Sequence, residues 1–350
     1  MQTFKAGLVG VTGYTGIELA RLLTGHNRIE LVRATSRSEA GQTLSQLFPS
    51  LAGLPLGTLT VSQPDIDDLA GACEIVFLAV PHGTAMDMAA ALVERGVRVV
   101  DLSADFRIED PEIYAQWYGL AHRHPGLIAD AVFGLPELYA DKVKEARLVA
   151  NPGCYPTSAI LGLYPALATG IVDTDGLVID SKSGTTGAGR KAVVGSLFCE
   201  VSDTFRAYNL GKHRHTPEIE QELSKIAGTE LRVSFNTHLL PINRGILSTC
   251  YSRLTRDLDL TAVHALYETA YADAPWVRVM PQGALPETRN VRGTMFCDIG
   301  LTVDPRTRRL IIVSCIDNLC RGASGQALAN ANIMLGLAPS TGLALAPLVP

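Results

Sequence analysis

The chain has 350 residues, 47% hydrophobic and 19% charged with a net charge of -5, enough material for two domains with cores of their own. That mild acidity and the scatter of the 30 Lys and Arg residues argue against nucleic acid or an acidic membrane surface as partner. Its first residues lack a signal-peptide pattern and no apolar run reaches membrane-span length, while seven cysteines without CxxC pairing suit reduced thiols in a cytoplasmic enzyme better than a disulfide or zinc framework.

Over the first 150 residues short apolar runs alternate with helical patterns, which predicts a doubly wound parallel sheet, an α/β Rossmann arrangement. Strands are expected at 6–11, 29–35, 75–80, 97–102 and 148–150, with helices at 16–23 and 85–94. The first strand ends in Gly10-Val11-Thr12-Gly13-Tyr14-Thr15-Gly16, which opens a helix. Glycines so spaced permit a tight turn and close approach of backbone to a pyrophosphate received at the helix N-terminus; a glycine-rich turn that binds nothing is the alternative. The second strand ends at Ser36-Arg37-Ser38, where hydroxyls and a cation suit a 2′-phosphate and so NADP(H), unless Arg37 is an ordinary surface charge. Pro81-His82-Gly83 closes another strand at the carboxyl edge where dinucleotides lie, with His82 either functional or a plain loop residue. In the same position one strand later, Ser103 and Arg107 either face substrate or belong to a polar strand end in which Arg107 pairs with Asp105.

Asn151-Pro152-Gly153-Cys154-Tyr155-Pro156-Thr157 sets one cysteine between a turn and a helix expected over 157–169, whose stripe is Ile160, Leu161, Leu163, Tyr164 and Leu167. The helix dipole and the unpaired N–H groups at that end stabilise a thiolate, the nucleophilic form of cysteine; a buried structural cysteine is the other reading. Beyond it the pattern changes. Strands at 177–181, 231–239, 246–254, 294–303 and 310–316, the last two joined by the turn Asp304-Pro305-Arg306-Thr307, predict an α+β domain with a mixed, largely antiparallel sheet. The loop at 181–191, with Ser183, Gly184 and Gly187, offers amides, hydroxyls and cations to a phosphate or to the nicotinamide end of a cofactor, or is simply flexible. Lys212-His213-Arg214-His215 precede a helix expected to be capped by Thr216 with Pro217 in its first position. Their spacing fits no helical zinc motif, and no metal is expected. If the fold brings one imidazole to Cys154 the two form a Cys/His unit, with Glu218 orienting the ring; alone, the cluster is a solvated basic loop. A last helix at 325–335 can pack back on the first domain, and 339–350 has the look of a loose tail. The division expected is therefore 1–150, completed by a helix at 322–338, and 151–321.

In order and spacing, the motifs at 10–16, 101–107, 133–137, 151–157, 183–189, 213–218 and 317–319 resemble the N-acetyl-gamma-glutamyl-phosphate reductase family almost from end to end. Phe133 stands where that family is associated with tyrosine. The resemblance implies an NADP-binding Rossmann domain, a catalytic domain like that of aspartate-semialdehyde dehydrogenase, NADPH as reductant, a small acyl phosphate as substrate, and a homodimer or homotetramer. It makes Cys154 the nucleophile and His215 the general acid/base with His213 and Glu218 in support. It also sets Asn318 at the nicotinamide and places Ser103, Arg107, Asn151 and Lys212 on the substrate side. Related readings are the same chemistry on aspartyl phosphate or on a carrier-linked acyl phosphate. An NADP-sensing protein without chemistry would be marked by loss of the nucleophile or base, and both Cys154 and His215 are present.

Overall fold

The computed structural model describes residues 2–349. Residues up to Pro152 together with Ala323–Ala344 form one compact unit, and Gly153–Gly322 with the segment from Leu345 form another.

In the first unit β1 (Phe4–Val9), β2 (Ile29–Thr35), β3 (Val61–Ser62), β4 (Ile75–Leu78), β5 (Arg98–Asp101), β6 (Ala131–Phe133) and β7 (Leu148–Ala150) form a seven-stranded sheet. Their order is β3-β2-β1-β4-β5-β7-β6 and every pairing is parallel. All four residues of β4 and all three of β7 are buried, as strands covered on both faces must be. Chain order reverses around β1, which pairs with both β2 and β4, and it is at the carboxyl ends of the strands at such a switch point that open α/β sheets bind ligands. The helix Gly325–Met334 is buried along its whole length and packs on β5 and on the helix Pro136–Glu145. Burial all round obliges its polar residues to find partners. Asn330 Nδ2 accordingly donates to Gly134 O (2.8 Å) and Asn151 Oδ1 (3.1 Å).

The second unit contains β8 (Leu177–Ser183), β9 (Arg206–Tyr208), β10 (Val233–Leu239), β11 (Ile246–Arg253), β12 (Val277–Val279), β13 (Cys297–Asp304) and β14 (Arg309–Ile316), ordered β12-β13-β14-β11-β8-β10-β9. The β8–β10 and β12–β13 pairs are parallel and the rest antiparallel, including the predicted β13–β14 hairpin. Along β11, buried Ile246, Ser248, Cys250 and Ser252 alternate with half-buried Leu247, Thr249 and Tyr251. The inward face carries the helix Cys154–Ala168, which is flanked by the helices Thr216–Ala227 and Leu260–Ala270. Ser158 on that helix donates to Ser248 Oγ (3.0 Å), which also meets Ser181 Oγ (2.7 Å), so buried hydroxyls satisfy one another at the helix–sheet seam.

Two expectations need correction. Much of the segment predicted to be a loose tail is tied down: Asn332 Nδ2 donates to Thr341 O (2.8 Å), His26 Nε2 meets the same carbonyl (3.0 Å), and Leu343 is buried. Its apolar side chain and the unspent amide of a buried helix supply what composition alone did not reveal. Pro350, the last residue of that segment, lies outside the described residues. The strands β3, β6, β9 and β12 were not anticipated, since two or three residues are too few to show a period.

Candidate active site

The loop after β1 is wound by its glycines. Gly10 has φ +90°, and a Cβ there would meet the carbonyl oxygen of Ala79; a Cβ on Gly16 would meet the carbonyl oxygen of Gly10. The amides of Gly10 and Val11 both donate to Thr35 O (3.0 and 3.2 Å), which ties the loop to the end of β2. Gly13 caps the helix Tyr14–Thr24 in an extended conformation without a side-chain cap, and no acidic residue sits in the first turn. Such a helix start is an anion site, and the tight Gly10/Gly16 turn lets backbone approach a pyrophosphate. Thr12 and Ser36 hydroxyls stand 3.5 Å apart, Ser36 is likewise 3.5 Å from Ser38, and Arg37 is exposed beside them. These residues fit a dinucleotide bearing a 2′-phosphate.

The loop after β4 is shaped from the next strand. Asp105 accepts from the amides of Gly83 (2.7 Å) and Ala85 (3.1 Å) and from Tyr114 Oη (2.7 Å). Pro81 is exposed, and the His82 ring meets Tyr118 edge-on at 5.5 Å. Ser103 and Arg107 are buried: the Ser103 hydroxyl donates to Asp101 Oδ2 (2.8 Å), and Arg107 Nη2 donates to Leu102 O (2.8 Å). Burial, reinforced by the charge of Asp105, pushes the Asp101 carboxyl up to about 7. Asn151 is also an interior residue, its Nδ2 donating to Ala323 O (3.2 Å). Phe133 is buried, with its ring at right angles to Tyr139.

In the second unit Cys154 is the first residue of the helix Cys154–Ala168. Gly153, extended and without a side-chain cap bond, occupies the N-cap, and the first turn holds no acid. The thiol is partly exposed at the positive end of the dipole. Five of the others are buried, which pushes Cys73 up to about 11 and Cys250 up to about 12; Cys199 is exposed, and no disulfide joins any of the seven. The neighbouring helix Thr216–Ala227 supplies fully buried Glu218, whose Oε1 accepts from the Gly153 amide (2.7 Å). That helix starts one residue earlier than predicted. His215 holds the N-cap position in helical conformation and Thr216 is the first helical residue, because the Thr216 amide bonds back to His213 O (2.9 Å).

The histidine loop stands against the residue that follows the cysteine. Tyr155 meets His213 edge-on at 5.2 Å and His215 at 6.0 Å, and Tyr208 and Phe235 close the cage around His213. His213 Nδ1 accepts from the His215 amide (3.1 Å). Burial, with Arg214 adding to it, pushes His213 down to about 4, so the ring is neutral with its proton on Nε2. Lys212 is exposed. Tyr208, which no local pattern singled out, shares a 2.7 Å hydroxyl contact with Tyr155.

The loop at 183–189 is held by the segment before β11: the amides of Gly184, Thr185 and Thr186 donate to carbonyls of Gly245, Ile242 and Asn243. Asn318, almost fully buried, accepts from the Gly245 amide (2.7 Å) and donates to Thr186 Oγ1 (2.9 Å). A Cβ on Gly187 would stand 3.1 Å from Ser183 Oγ and 3.9 Å from Asn318 Nδ2. Ser183, Gly184, Gly187 and Asn318 are thus one cluster.

A seven-stranded parallel sheet with a glycine-wound anion loop, followed by a mixed-sheet unit with a cysteine at a helix start, defines a semialdehyde-dehydrogenase type of protein. Family models agree: residues 5–146 match "Semialdehyde dehydrogenase, NAD binding domain" and 154–318 match "Semialdehyde dehydrogenase, dimerisation domain". Solved structures with the same fold include aspartate semialdehyde dehydrogenase II from Vibrio cholerae (TM-score 0.72, 14% identity, 96% of this chain and 99% of that one). Another is the Candida albicans aspartate semialdehyde dehydrogenase with NADP (TM-score 0.72, 19% identity, 95% and 99%). More specific are two proteins named N-acetyl-gamma-glutamyl-phosphate reductase. That of Desulfotalea psychrophila is 50% identical over 347 residues, 99% of each chain, and that of Pelotomaculum thermopropionicum 49% over 340, 97% of each. The chain belongs to the N-acetyl-gamma-glutamyl-phosphate reductase family.

Proposed function

We propose that the protein reduces N-acetyl-L-glutamyl 5-phosphate to N-acetyl-L-glutamate 5-semialdehyde with NADPH, releasing phosphate, a step of arginine biosynthesis. The observation that carries this is Cys154 at an uncapped helix start next to the His213–His215 loop, in a chain half identical to reductases of that name along their whole length.

The first unit is the cofactor domain. Gly10, Thr12, Gly13, Tyr14, Thr15 and Gly16 cradle the phosphates, Ser36, Arg37 and Ser38 take the 2′-phosphate, and Pro81 and His82 line the edge. Ser183, Gly184, Gly187 and Asn318 are assigned to the nicotinamide end, and Arg107 and Lys212 to anionic groups of the substrate. Ser103 and Asn151, bonded inside the fold, shape the backbone there. The Cys154 thiolate attacks the acyl carbon; its C–S bond forms as the carbon–oxygen bond to phosphate breaks, leaving a thioester. Bound NADPH supplies the hydride that brings this carbon to the aldehyde level. His215 donates a proton to the developing oxyanion, then recovers it as the C–S bond breaks, so aldehyde leaves and the thiolate returns. Neutral His213 holds the His215 backbone, and Glu218 anchors the amide preceding the nucleophile.

A homodimer or homotetramer in the cytoplasm completes the reading. Half-buried Val178, Leu247, Tyr251, Ile311 and Val313 lie on the face of the second sheet opposite its helices, beside the Lys182–Asp180 ion pair (2.6 Å), a mixed surface suited to a second copy. Among the described residues no helix is long and apolar enough to cross a membrane. The test is NADPH oxidation with N-acetylglutamyl phosphate against aspartyl phosphate. Turnover of the acetylated substrate alone is expected; preference for aspartyl phosphate would move the protein to the sister activity.

A further inference from the structure

After β14 the chain passes through a π-turn (Cys320–Ser324) before entering the helix Gly325–Met334. Fully buried Asp317 organises the start of this turn. Its Oδ1 accepts from the amides of Leu319 (2.9 Å) and Cys320 (2.7 Å) and from Arg244 Nη2 (2.8 Å). Its Oδ2 accepts from the Gly293 amide (2.7 Å), and its main-chain carbonyl accepts from the Gly322 amide (2.9 Å). Gly322 is thereby set against the cysteine: a Cβ built on it would stand 2.6 Å from Cβ of Cys154 and 3.0 Å from its Cα. Gly322 does not have the left-handed φ that favours glycine. What excludes a side chain at 322 is Cys154 itself.

We propose that Gly322, held by Asp317, is a positioning residue for the nucleophile, fixing the Cα–Cβ bond of Cys154 and so the direction from which its sulfur meets the acyl carbon. The proposal rests on the reading of Cys154 as nucleophile. Two constraints then act on one residue from different elements. Glu218 grips the amide before Cys154, and Gly322 bears on the carbon that carries the thiol. Covalent attack demands such control, because reacting atoms must meet in near-attack geometry and a misplacement of about 1 Å can cost a hundredfold in rate. A π-turn at this place fits the common use of such turns at functional sites.

The test compares Gly322→Ala with Gly162→Ala. Gly162 lies on the same helix as Cys154, where an added Cβ would press on Ser314 Cβ at 3.2 Å, so it perturbs packing without touching the nucleophile. In Gly322→Ala, kcat is expected to fall about tenfold to a hundredfold with KM nearly unchanged, and the iodoacetamide alkylation rate of Cys154 is expected to change across its pH profile. Gly162→Ala should change neither. A stability cycle gives a readout independent of turnover: most of the Gly322→Ala penalty should vanish when Cys154→Gly removes the opposing Cβ. Wild-type kcat and alkylation in Gly322→Ala, equal losses in Gly162→Ala, or an undiminished penalty in the Cys154→Gly background would each overturn the proposal. Should Gly322→Ala alone be too unstable to purify, recovery of a folded protein in the Cys154→Gly background supports it, and failure there overturns it. A wild-type protein without reductase activity would sink the enzymatic reading, while alkylation and the cycle would still judge the contact.

Discussion

The helices Tyr14–Thr24 and Cys154–Ala168 begin alike and are controlled differently. Each is capped by a glycine in extended conformation, with no side-chain cap and no acid in the first turn, so each offers its positive end to a negative group. In the first unit the glycines settle the turn by clearing backbone: Gly16 lies against the Gly10 carbonyl, and Gly10 against that of Ala79 with its amide on Thr35 at the end of β2. In the second, Glu218 and Gly322, both far along the chain, set the geometry around Cys154. A phosphate needs only amides in a row, which a short motif can supply. A nucleophile needs a direction, which requires distant groups.

Substitutions can break the comparison, the largest effect being expected at Cys154. Cys154→Ser should reduce NADPH oxidation with N-acetylglutamyl phosphate by at least about a thousandfold while NADPH binding persists, read by fluorescence titration. Retained turnover would remove Cys154 from the chemistry. Gly16→Ala forces a Cβ into the Gly10 carbonyl, and should weaken NADPH binding by about tenfold or more while alkylation of Cys154 stays unchanged. Equal loss of both would show that the two helix starts are not independently built. Glu218→Gln keeps an acceptor near the Gly153 amide but removes its charge. A charge-assisted bond is worth about 1.5–3 kcal/mol, so kcat should fall about tenfold with NADPH affinity intact. An unchanged kcat would reduce Glu218 to a structural buttress.

The smallest effect is a pair of opposed pH slopes. His213 is pushed below its ordinary value to about 4, so between about 6.5 and 4 the unfolded chain binds more protons than the folded one, and its contribution is lost as pH falls through that window. Asp101 is pushed up to about 7, so the folded chain there holds a proton the unfolded chain releases, and its contribution is lost as pH rises from about 3.8 to 7. The windows overlap, so the two slopes oppose each other: in denaturant unfolding His213→Asn should make the change of stability with pH more negative between about 4 and 6.5, and Asp101→Asn more positive. A slope unchanged by either variant would show that other groups titrate in that window.

Much of this architecture was legible in the sequence. Alternating apolar runs and helical patterns forecast the parallel sheet of the first unit, and the turn at 304–307 forecast the β13–β14 hairpin, because side-chain period and turn chemistry are local properties. Cys154 at a helix start followed from an Asn-Pro-Gly turn before an apolar stripe. The helix after His215 begins one residue earlier than its sequence suggests, since its cap is settled by a backbone bond to His213 rather than by a Thr side chain. Tyr208 left no local mark, because its importance comes from β9 lying beside β10 and from the Tyr155 hydroxyl it meets.

By itself, then, the sequence determined the two folds, the glycine-wound loop, the candidate nucleophile and the imidazole cluster, for these depend on periodicity, turn residues and spacing within short windows. Only the tertiary structure decided that Glu218 holds the amide before Cys154, that Asn318 secures the 183–189 loop, and that Gly322 lies against Cys154. These are contacts between residues tens to hundreds of positions apart. Packing chooses such partners, and no local pattern encodes them.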